Sequence, residues 1–281
     1  DLTGAIKHLG SIRGVLERAS ARETTMRVAA GALAEQLLAE FGIRAIGYVV
    51  ELGGVKIDPQ PGTLEEHRKL RDQSEIYSLD PSRDEEIKRL IDDTRKAGDT
   101  LGGVVEVRVE GLPLGLGTHA QWDRKLDGRL AQAVMAVQAI KGVEIGLGFE
   151  AARRPGSQVH DPIHFDPDQR DGPTLGYVRP TNNAGGLEAG ITNGQPLVVR
   201  AAKKPISTLA KPLASINLKT KQPEAADYER SDVCAVPAAS VIVQSVVAFE
   251  VARALVEKFG NDSLQEMKAR WELFHQLARQ R

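Results

Sequence analysis

The stretch "GVVEVRVEG" (residues 103–111) decides the fold class, because apolar and charged side chains alternate along it. Valines occupy the odd positions from 105 to 109, and charged residues occupy the even positions from 106 to 110. In an extended chain, odd and even side chains point to opposite faces. One dry face and one wet face are typical of an antiparallel strand, whereas a parallel strand is usually buried on both faces.

Other stretches extend this pattern into a sheet. "ITNGQPLVVRA" (191–201) places Asn-Gly between two extended runs, which predicts a hairpin. "SINLKT" (215–220) alternates again, and "GIRAIGYVVELGGVKI" (42–57) predicts a strand or two. Because such strands interleave with long helices, we predict an α+β fold with antiparallel sheets rather than a doubly wound α/β domain.

Four helix starts carry the Ser/Thr-x-x-Glu capping pattern, at Ser20, Thr63, Ser82 and Ser263. The first of these helices has apolar residues at helical spacing as far as Phe41. The last is amphipathic, and we expect it to face mostly solvent.

Two further helices are predicted between these starts. One spans about 123–139 and has one apolar face, and the other spans 238–260 and is apolar nearly all round in its first half. We expect that half to be buried on most sides. The apolar face of the first comprises Trp122, Leu126, Leu130, Ala133 and Val137.

Composition excludes several classes of protein. The 281 residues make one large domain or two small ones, and the formal net charge of -1 argues against a nucleic-acid surface. The single cysteine, Cys234, excludes an internal disulfide framework. No stretch approaches the ~20 apolar residues of a membrane span, and "DLTGAIKHLG" (1–10) lacks a secretory signal pattern. We therefore expect a cytoplasmic protein that binds neither membrane nor nucleic acid.

Residues 151–190 differ from the rest, being rich in Gly, Pro, Asn and charge without a sustained period. They predict a long active-site or mobile loop. Within them, "HDPIH" (160–164) has the spacing of two helical zinc ligands, but Pro162 breaks a helix there and the general-base Glu is absent, so we predict no metal site. Two Gly-x-Gly-x-x-Ala strings, at 115–120 and 146–151, lack the strand and helix context of a dinucleotide site.

Three stretches combine cations with groups that suit an anionic ligand. In "ERASARETTMRVAAGA" (17–32), Arg18 and Arg22 flank a predicted helix start, where free N–H groups bind phosphates. The alternative is a Glu23–Arg27 pair with the other arginines solvated.

The second stretch, "AAKKPISTLAKP" (201–212), sets two lysines before a proline and two hydroxyl residues after it, which suits a phosphate or an exposed turn. The third, "ERSDVCAVP" (229–237), holds Arg230 and Asp232 two positions apart, so that both point the same way if extended. They form either a structural ion pair or an anion anchor beside a proton acceptor.

Together these stretches resemble chorismate synthase, in order and over nearly the whole chain. The resemblance implies one domain over 1–281, with helices sandwiched between antiparallel sheets, and a homotetramer. It implies reduced FMN as cofactor and trans-1,4-elimination of phosphate from 5-enolpyruvylshikimate 3-phosphate, which yields chorismate. Whether NADPH reduces the flavin stays open.

The resemblance also implies roles for individual residues. It makes Asp232 the catalytic aspartate that manages the flavin N5 proton, although this chain has Arg-Ser-Asp-Val where many relatives have Arg-His-Asp-Pro. Ala189 departs from a common glycine, and many relatives have Asn in place of Gln138. The implied substrate-binding residues are Ser20, Arg22 and Arg230. The implied FMN-binding residues are Arg18, Ala19, Ser20, Gln138, Ala139, Ala189, Lys204, Pro205, Ile206, Ser207, Thr208 and Arg230.

The chain departs from the family pattern at its start. Family members open with Gly-x-Ser-His-Gly and later carry Arg-Pro-Gly-His-Ala directly before Asp-Leu, and each motif holds a catalytic histidine. This sequence begins at that Asp-Leu, and none of its six histidines matches either position. The resemblance thus covers the larger C-terminal part of the family and implies that these residues alone form no chorismate. The alternative is a non-catalytic flavin- or partner-binding fragment of the family.

Overall fold

A computed structural model describes residues 2–281, and over that range it contains α-helices, β-strands and short 3-10 turns. The helices are α1 (Leu2–His8), α2 (Ile12–Ala19), α3 (Thr24–Ala39), α4 (Leu64–Gln73), α5 (Asp84–Lys96), α6 (Leu126–Met135), α7 (Val236–Phe259) and α8 (Leu264–Ala278). The strands are β1 (Arg44–Leu52), β2 (Val55–Lys56), β3 (Gly103–Glu110), β4 (Leu114–Gly117), β5 (Ile140–Ile145), β6 (His164–Phe165), β7 (Tyr177–Val178), β8 (Leu187–Glu188), β9 (Ile191–Asn193), β10 (Leu197–Lys203), β11 (Ala214–Ile216) and β12 (Pro223–Ala225).

The main sheet has the strand order β2-β1-β3-β10-β5, and every pairing in it is antiparallel. Val105, Val107 and Val109 of β3 are fully buried against the helices, as the alternation predicts. The charged side of β3 is only half exposed, because Glu106 accepts a hydrogen bond from Tyr48 and Arg108 pairs with Glu110 at 2.8 Å. Burial, together with the Glu106 carboxylate, raises the pKa of Tyr48. The expected wet face is therefore a network of partly buried charges.

Helix α7 forms the centre of the core. It packs on β1 and β3 of the main sheet, on α3 and α6, and on β4 of a second antiparallel sheet of order β4-β9-β8. The predicted α+β class, with helices between antiparallel sheets, is confirmed. Glycines allow this close packing, since a Cβ on Gly47 of β1 would lie 2.3 Å from the carbonyl oxygen of Ser240.

The prediction that no segment approaches a membrane span is wrong for α7. This helix has 24 residues and is apolar enough by composition to cross a bilayer. However, 67% of its most apolar 18-residue stretch is buried inside the fold. We therefore assign α7 as a core helix, which is apolar because it is covered by sheet and helices on most sides.

The capping predictions are confirmed in part. Thr63 and Glu66 form the complete reciprocal capping box at the start of α4, and Ser263 caps α8. The prediction for Ser82 is wrong, because Asp80 accepts hydrogen bonds from the backbone and hydroxyl groups of Ser82. A 3-10 turn follows this cap, and α5 begins only after that turn.

Helix α6 is shorter than predicted. Lys125 has an extended backbone (ψ 134°), which separates α6 from the 3-10 turn Trp122–Arg124. Trp122 is consequently 83% exposed instead of sharing the buried face of Leu126 and Leu130. At the other end the helix stops before 138–139, so the two predicted flavin contacts lie in the following turn.

The predicted hairpin over 191–201 is wrong. β9 pairs with β4 and β8, whereas β10 pairs with β3 and β5, so the two strands belong to different sheets. The Asn193 side chain accepts a hydrogen bond from the backbone N–H of Gln195, and Gly194 adopts φ +86°. Asn-Gly therefore turns the chain from one sheet into the other.

Residues 151–190 are not one structureless loop. They contain β6, β7, β8 and several 3-10 turns. The Asp161 carboxylate accepts hydrogen bonds from the Thr181 hydroxyl at 2.5 Å and from the backbone N–H groups of Asn183 and Ala184 at 2.9 Å. Asp161 thereby anchors the glycine-rich segment that leads into β8.

Candidate functional site

The Arg-x-Ser-x-Arg stretch lies where α2 gives way to α3. Arg18 is near the end of α2, and Arg22 belongs to the 3-10 turn Ala21–Glu23 that precedes α3. The Ser20 hydroxyl accepts a hydrogen bond from the Arg22 backbone N–H at 3.3 Å. The predicted capping box of Ser20 with Glu23 is not formed, because the Glu23 carboxylate turns elsewhere.

Glu23 connects this turn to the turn after α6. Its carboxylate pairs with Arg27 at 2.8 Å and accepts a hydrogen bond from Gln138 Nε2 at 2.8 Å. The hydrogen bonds from Arg27 and Gln138 hold the pKa of Glu23 below its usual range. The alternative of a Glu23–Arg27 pair is thus correct, and it coexists with two exposed arginines, Arg18 and Arg22.

The Lys-Pro-Ile-Ser-Thr turn (204–208) is hydrogen-bonded to the turn that holds Gln138. We call these linked segments, 18–23, 138–139, 204–208 and 230–232, the cluster. The backbone N–H of Lys204 donates to the carbonyl of Ala139 at 2.9 Å. On its other side, the Thr100 hydroxyl donates to the carbonyl of Ile206 at 2.6 Å. A Cβ on Gly102 would lie 2.4 Å from the carbonyl oxygen of Lys203, so this segment packs tightly beneath the turn.

Sequence reasoning missed Thr100. The residue sits in the loop before β3, and nothing in its local pattern indicates that its partner lies 106 positions away. The one available signal is the run of small residues in "GDTLGG" (98–103), which is typical of a close approach between backbones.

Thr100→Val is expected to destabilise the 204–208 turn, because it leaves the partly buried Ile206 carbonyl without its donor at a cost of about 0.5–1.5 kcal/mol. Thermal unfolding and hydrogen exchange of the 204–208 amides measure this effect. Thr100→Ser keeps the hydroxyl and should restore most of the loss. Equal stability of the Val and Ser variants would contradict this role.

The Arg-Ser-Asp segment (230–232) is hydrogen-bonded to the end of the 204–208 turn. The Ser231 hydroxyl donates to the Thr208 carbonyl at 3.3 Å, and the Leu101 N–H donates to the Val233 carbonyl at 2.9 Å. Arg230 and Asp232 line one cavity of about 570 Å³ together with Thr208. Ser231, between them, lines the same cavity, so the direction of the Arg230 and Asp232 side chains stays a prediction.

Cys234 also lines this cavity, and Lys203 lies near Cys234. Burial lowers the pKa of Lys203 and raises the pKa of Cys234. The Cys234 sulfur accepts a hydrogen bond from the Val236 N–H at 3.4 Å, so the thiol packs at the start of α7.

Ala189 is not brought into this cluster. It lies between β8 and β9 with φ +52°, and the next residue, Gly190, accepts a hydrogen bond from the N–H of Leu126 at 3.1 Å. That contact is at the first residue of α6, whereas Gln138 follows its last turn. Ten helical residues span about 15 Å, so α6 separates the two positions.

The cluster is rich in cations without partners. Within residues 2–281, no carboxylate lies within ion-pair distance of Arg18, Arg22, Lys204 or Arg230, although arginines elsewhere in the fold are mostly paired. All four are exposed. Unpaired cations on segments that hydrogen bonding brings together are typical of a site for an anionic ligand.

Comparison with known proteins identifies the family that this chain resembles in sequence and fold. The family model for chorismate synthase matches residues 1–256. Chorismate synthase of Geobacter metallireducens is 57% identical over 274 residues, covering 97% of this chain and 70% of that protein. The Enterococcus faecalis enzyme is 54% identical, covering 95% and 68% respectively. A crystal structure of a chorismate synthase aligns over 100% of this chain and 77% of its own, with a TM-score of 0.85 and 44% identity.

The matched range includes all four segments of the cluster: 18–23, 138–139, 204–208 and 230–232. Both the sequence and the fold are therefore shared along the part of the chain that carries the unpaired cations. The chain belongs to the chorismate synthase family.

Proposed function

We propose that this cluster binds reduced FMN and 5-enolpyruvylshikimate 3-phosphate and eliminates phosphate to give chorismate. The observation that carries the proposal is that four unpaired cations lie on segments linked to one another by hydrogen bonds, all within the range that the family shares. The substrate bears a phosphate and two carboxylates, and FMN adds another phosphate. Such ligands need fixed cations and free backbone N–H donors.

The residues fit a flavin. Gln138 Oε1 is buried and has no hydrogen-bond partner within residues 2–281, so the turn presents an unused acceptor where a flavin donor would sit. Lys204 leads the 204–208 turn, whose Ser207 and Thr208 hydroxyls add donors. Reduced FMN, when bound, supplies electron density to the substrate as its allylic C–O bond breaks. We assign flavin binding to 18–20, 138–139, 204–208 and Arg230, and we keep Ala189 as a more distant member.

The arginines provide the charge that holds the substrate. Arg22 precedes α3 in a turn that Ser20 caps, so its side chain is carried on a defined backbone. Arg230 lies on the segment that lines the cavity with Thr208. We assign substrate binding to Ser20, Arg22 and Arg230, and we assign proton transfer to the carboxylate oxygens of Asp232.

Arg22→Ala is expected to weaken substrate binding by about 1.5–3 kcal/mol, the contribution of one charged hydrogen bond. Flavin binding should change much less. Calorimetric titration with substrate in the presence of oxidised FMN measures the effect. Arg13→Ala is the control, because Arg13 is exposed on α2 and pairs only with Glu17. Unchanged substrate affinity in the Arg22 variant would show that Arg22 does not bind the substrate.

An anaerobic assay of the protein with chemically reduced FMN tests the proposed function. Chorismate and phosphate should appear in equal amounts. Flavin binding without turnover would instead favour the non-catalytic alternative. Repeating the assay with oxidised FMN and NADPH determines whether the protein reduces its own flavin.

We further propose a cytoplasmic homotetramer that binds neither nucleic acid nor membrane. The net charge of -1 and the burial of α7 support the second part of this proposal. Association would cover apolar side chains that stand exposed on α3 and α7, among them Met26, Leu33 and Phe249. Light scattering at defined concentration measures the subunit number.

A further inference from the structure

Gln138 carries an acceptor that the fold leaves unused. Its Nε2 donates to Glu23 Oε1 at 2.8 Å, while its Oε1 is buried and has no partner within residues 2–281. Buried polar atoms in native proteins are nearly always hydrogen-bonded. The unused oxygen therefore calls for a ligand that donates an N–H or O–H group.

Glu23 determines which atom of the Gln138 amide has no hydrogen-bond partner. The Glu23 carboxylate already pairs with Arg27, whose Nε donates to it at 2.9 Å. An ionised carboxylate accepts hydrogen bonds and cannot donate them. The amide must therefore turn its Nε2 toward Glu23, and its Oε1 faces away. The reverse orientation would place two acceptors in contact.

We propose that Glu23 is a positioning residue that fixes the Gln138 amide so that its Oε1 accepts a hydrogen bond from bound flavin. This inference rests on the proposed function, which places FMN beside residues 138 and 139. Glu23 directly follows Arg22, the assigned substrate-binding residue, in the same 3-10 turn. One carboxylate thus ties the turn that holds the substrate to the turn that contacts the flavin.

The first test is Glu23→Gln, measured as the affinity for oxidised FMN by flavin fluorescence. Glutamine keeps the shape, but its amide can donate to Gln138 Oε1 and occupy the acceptor internally. We expect FMN affinity to fall about three- to tenfold, the range for one hydrogen bond. Simple electrostatics predicts the opposite sign, because the change removes a negative charge near an anionic ligand.

Glu40→Gln is the matched control. It removes the same charge from a position just after the opposite end of α3, where Glu40 pairs with Lys268 at 2.7 Å. The 16 residues of α3 place this site about 24 Å from Glu23. FMN affinity should be unchanged in this variant.

Gln138→Met supplies the second arm, since it removes the amide while keeping a side chain of similar length. It should weaken FMN binding to a similar extent. In the double variant, Glu23→Gln should add less than about twofold, because its target is already gone. A merely structural role for Glu23 predicts that the two losses multiply.

Riboflavin and lumiflavin identify the donor. Riboflavin lacks the phosphate, so the loss caused by Glu23→Gln should persist with it. Lumiflavin also lacks the ribityl chain. If Glu23→Gln still weakens lumiflavin binding, the donor is a ring N–H. If it no longer does, the donor is a ribityl hydroxyl.

Wild-type or tighter FMN binding in Glu23→Gln overturns the inference, as does a loss confined to FMN and absent with riboflavin. Unchanged affinity in Gln138→Met overturns it even where Glu23→Gln fails to fold. Failure of the wild-type protein to bind FMN would instead refute the proposed function, so the two failures are distinguishable.

Discussion

Asp232→Asn is expected to lower the turnover of 5-enolpyruvylshikimate 3-phosphate by about 10²–10⁴-fold, the usual contribution of a positioned acid or base. The substitution preserves the shape of the side chain and removes its basic oxygen. Asp232 is exposed at the cavity that Thr208 and Arg230 also line, and no ion pair within residues 2–281 depends on it. Its loss should therefore leave the fold and FMN binding intact.

The measurement is anaerobic turnover at saturating substrate and reduced FMN, with FMN affinity determined in parallel. Asp227→Asn provides the control, because Asp227 is an exposed carboxylate earlier in the same segment. It should turn over at the wild-type rate. Wild-type turnover in Asp232→Asn would mean that another group handles the proton.

Local pattern was sufficient to predict the framework. The alternation along β3 places Val105, Val107 and Val109 in the core, and the apolar composition of α7 indicates a helix covered on most sides. Both features depend on side chains close together in the chain. The hairpin predicted from Asn-Gly at 193–194 is wrong. Those two residues determine only the local turn, whereas the sheet that each flanking strand joins depends on partners distant in the sequence.

In the candidate site, too, local features can be predicted from the sequence and long-range contacts cannot. The residue types of the cluster stand out in the sequence, and the resemblance to a family supplies their roles. The contacts that hold them together do not stand out, because Glu23 and Gln138 are 115 positions apart and Thr100 and Ile206 are 106 apart. Only the tertiary fold brings such pairs into contact. For Ala189, the resemblance implies a flavin contact, but in the fold α6 separates this residue from Gln138.

Gly31→Val is expected to lower the free energy of unfolding by about 3 kcal/mol, the upper end of the range for overpacked cores. Gly31 lies in α3 where it crosses α7. A Cβ at this position would lie 2.3 Å from the Cβ and 2.6 Å from the Cα and carbonyl oxygen of Ser245. Since two of these three atoms belong to the backbone, the two helices must move apart instead of one side chain rotating away.

Gly128→Val isolates this steric effect from helix propensity. Gly128 lies in α6, and a Cβ added there would lie 3.9 Å from the Trp122 carbonyl oxygen, which is ordinary van der Waals contact. Valine and glycine differ by only a few tenths of a kcal/mol in helix propensity, in favour of valine. Urea unfolding should therefore show a large loss for Gly31→Val and a change within about 0.5 kcal/mol for Gly128→Val. Similar losses at both positions would mean that the α3–α7 contact is looser than its distances indicate, and that backbone propensity governs both sites.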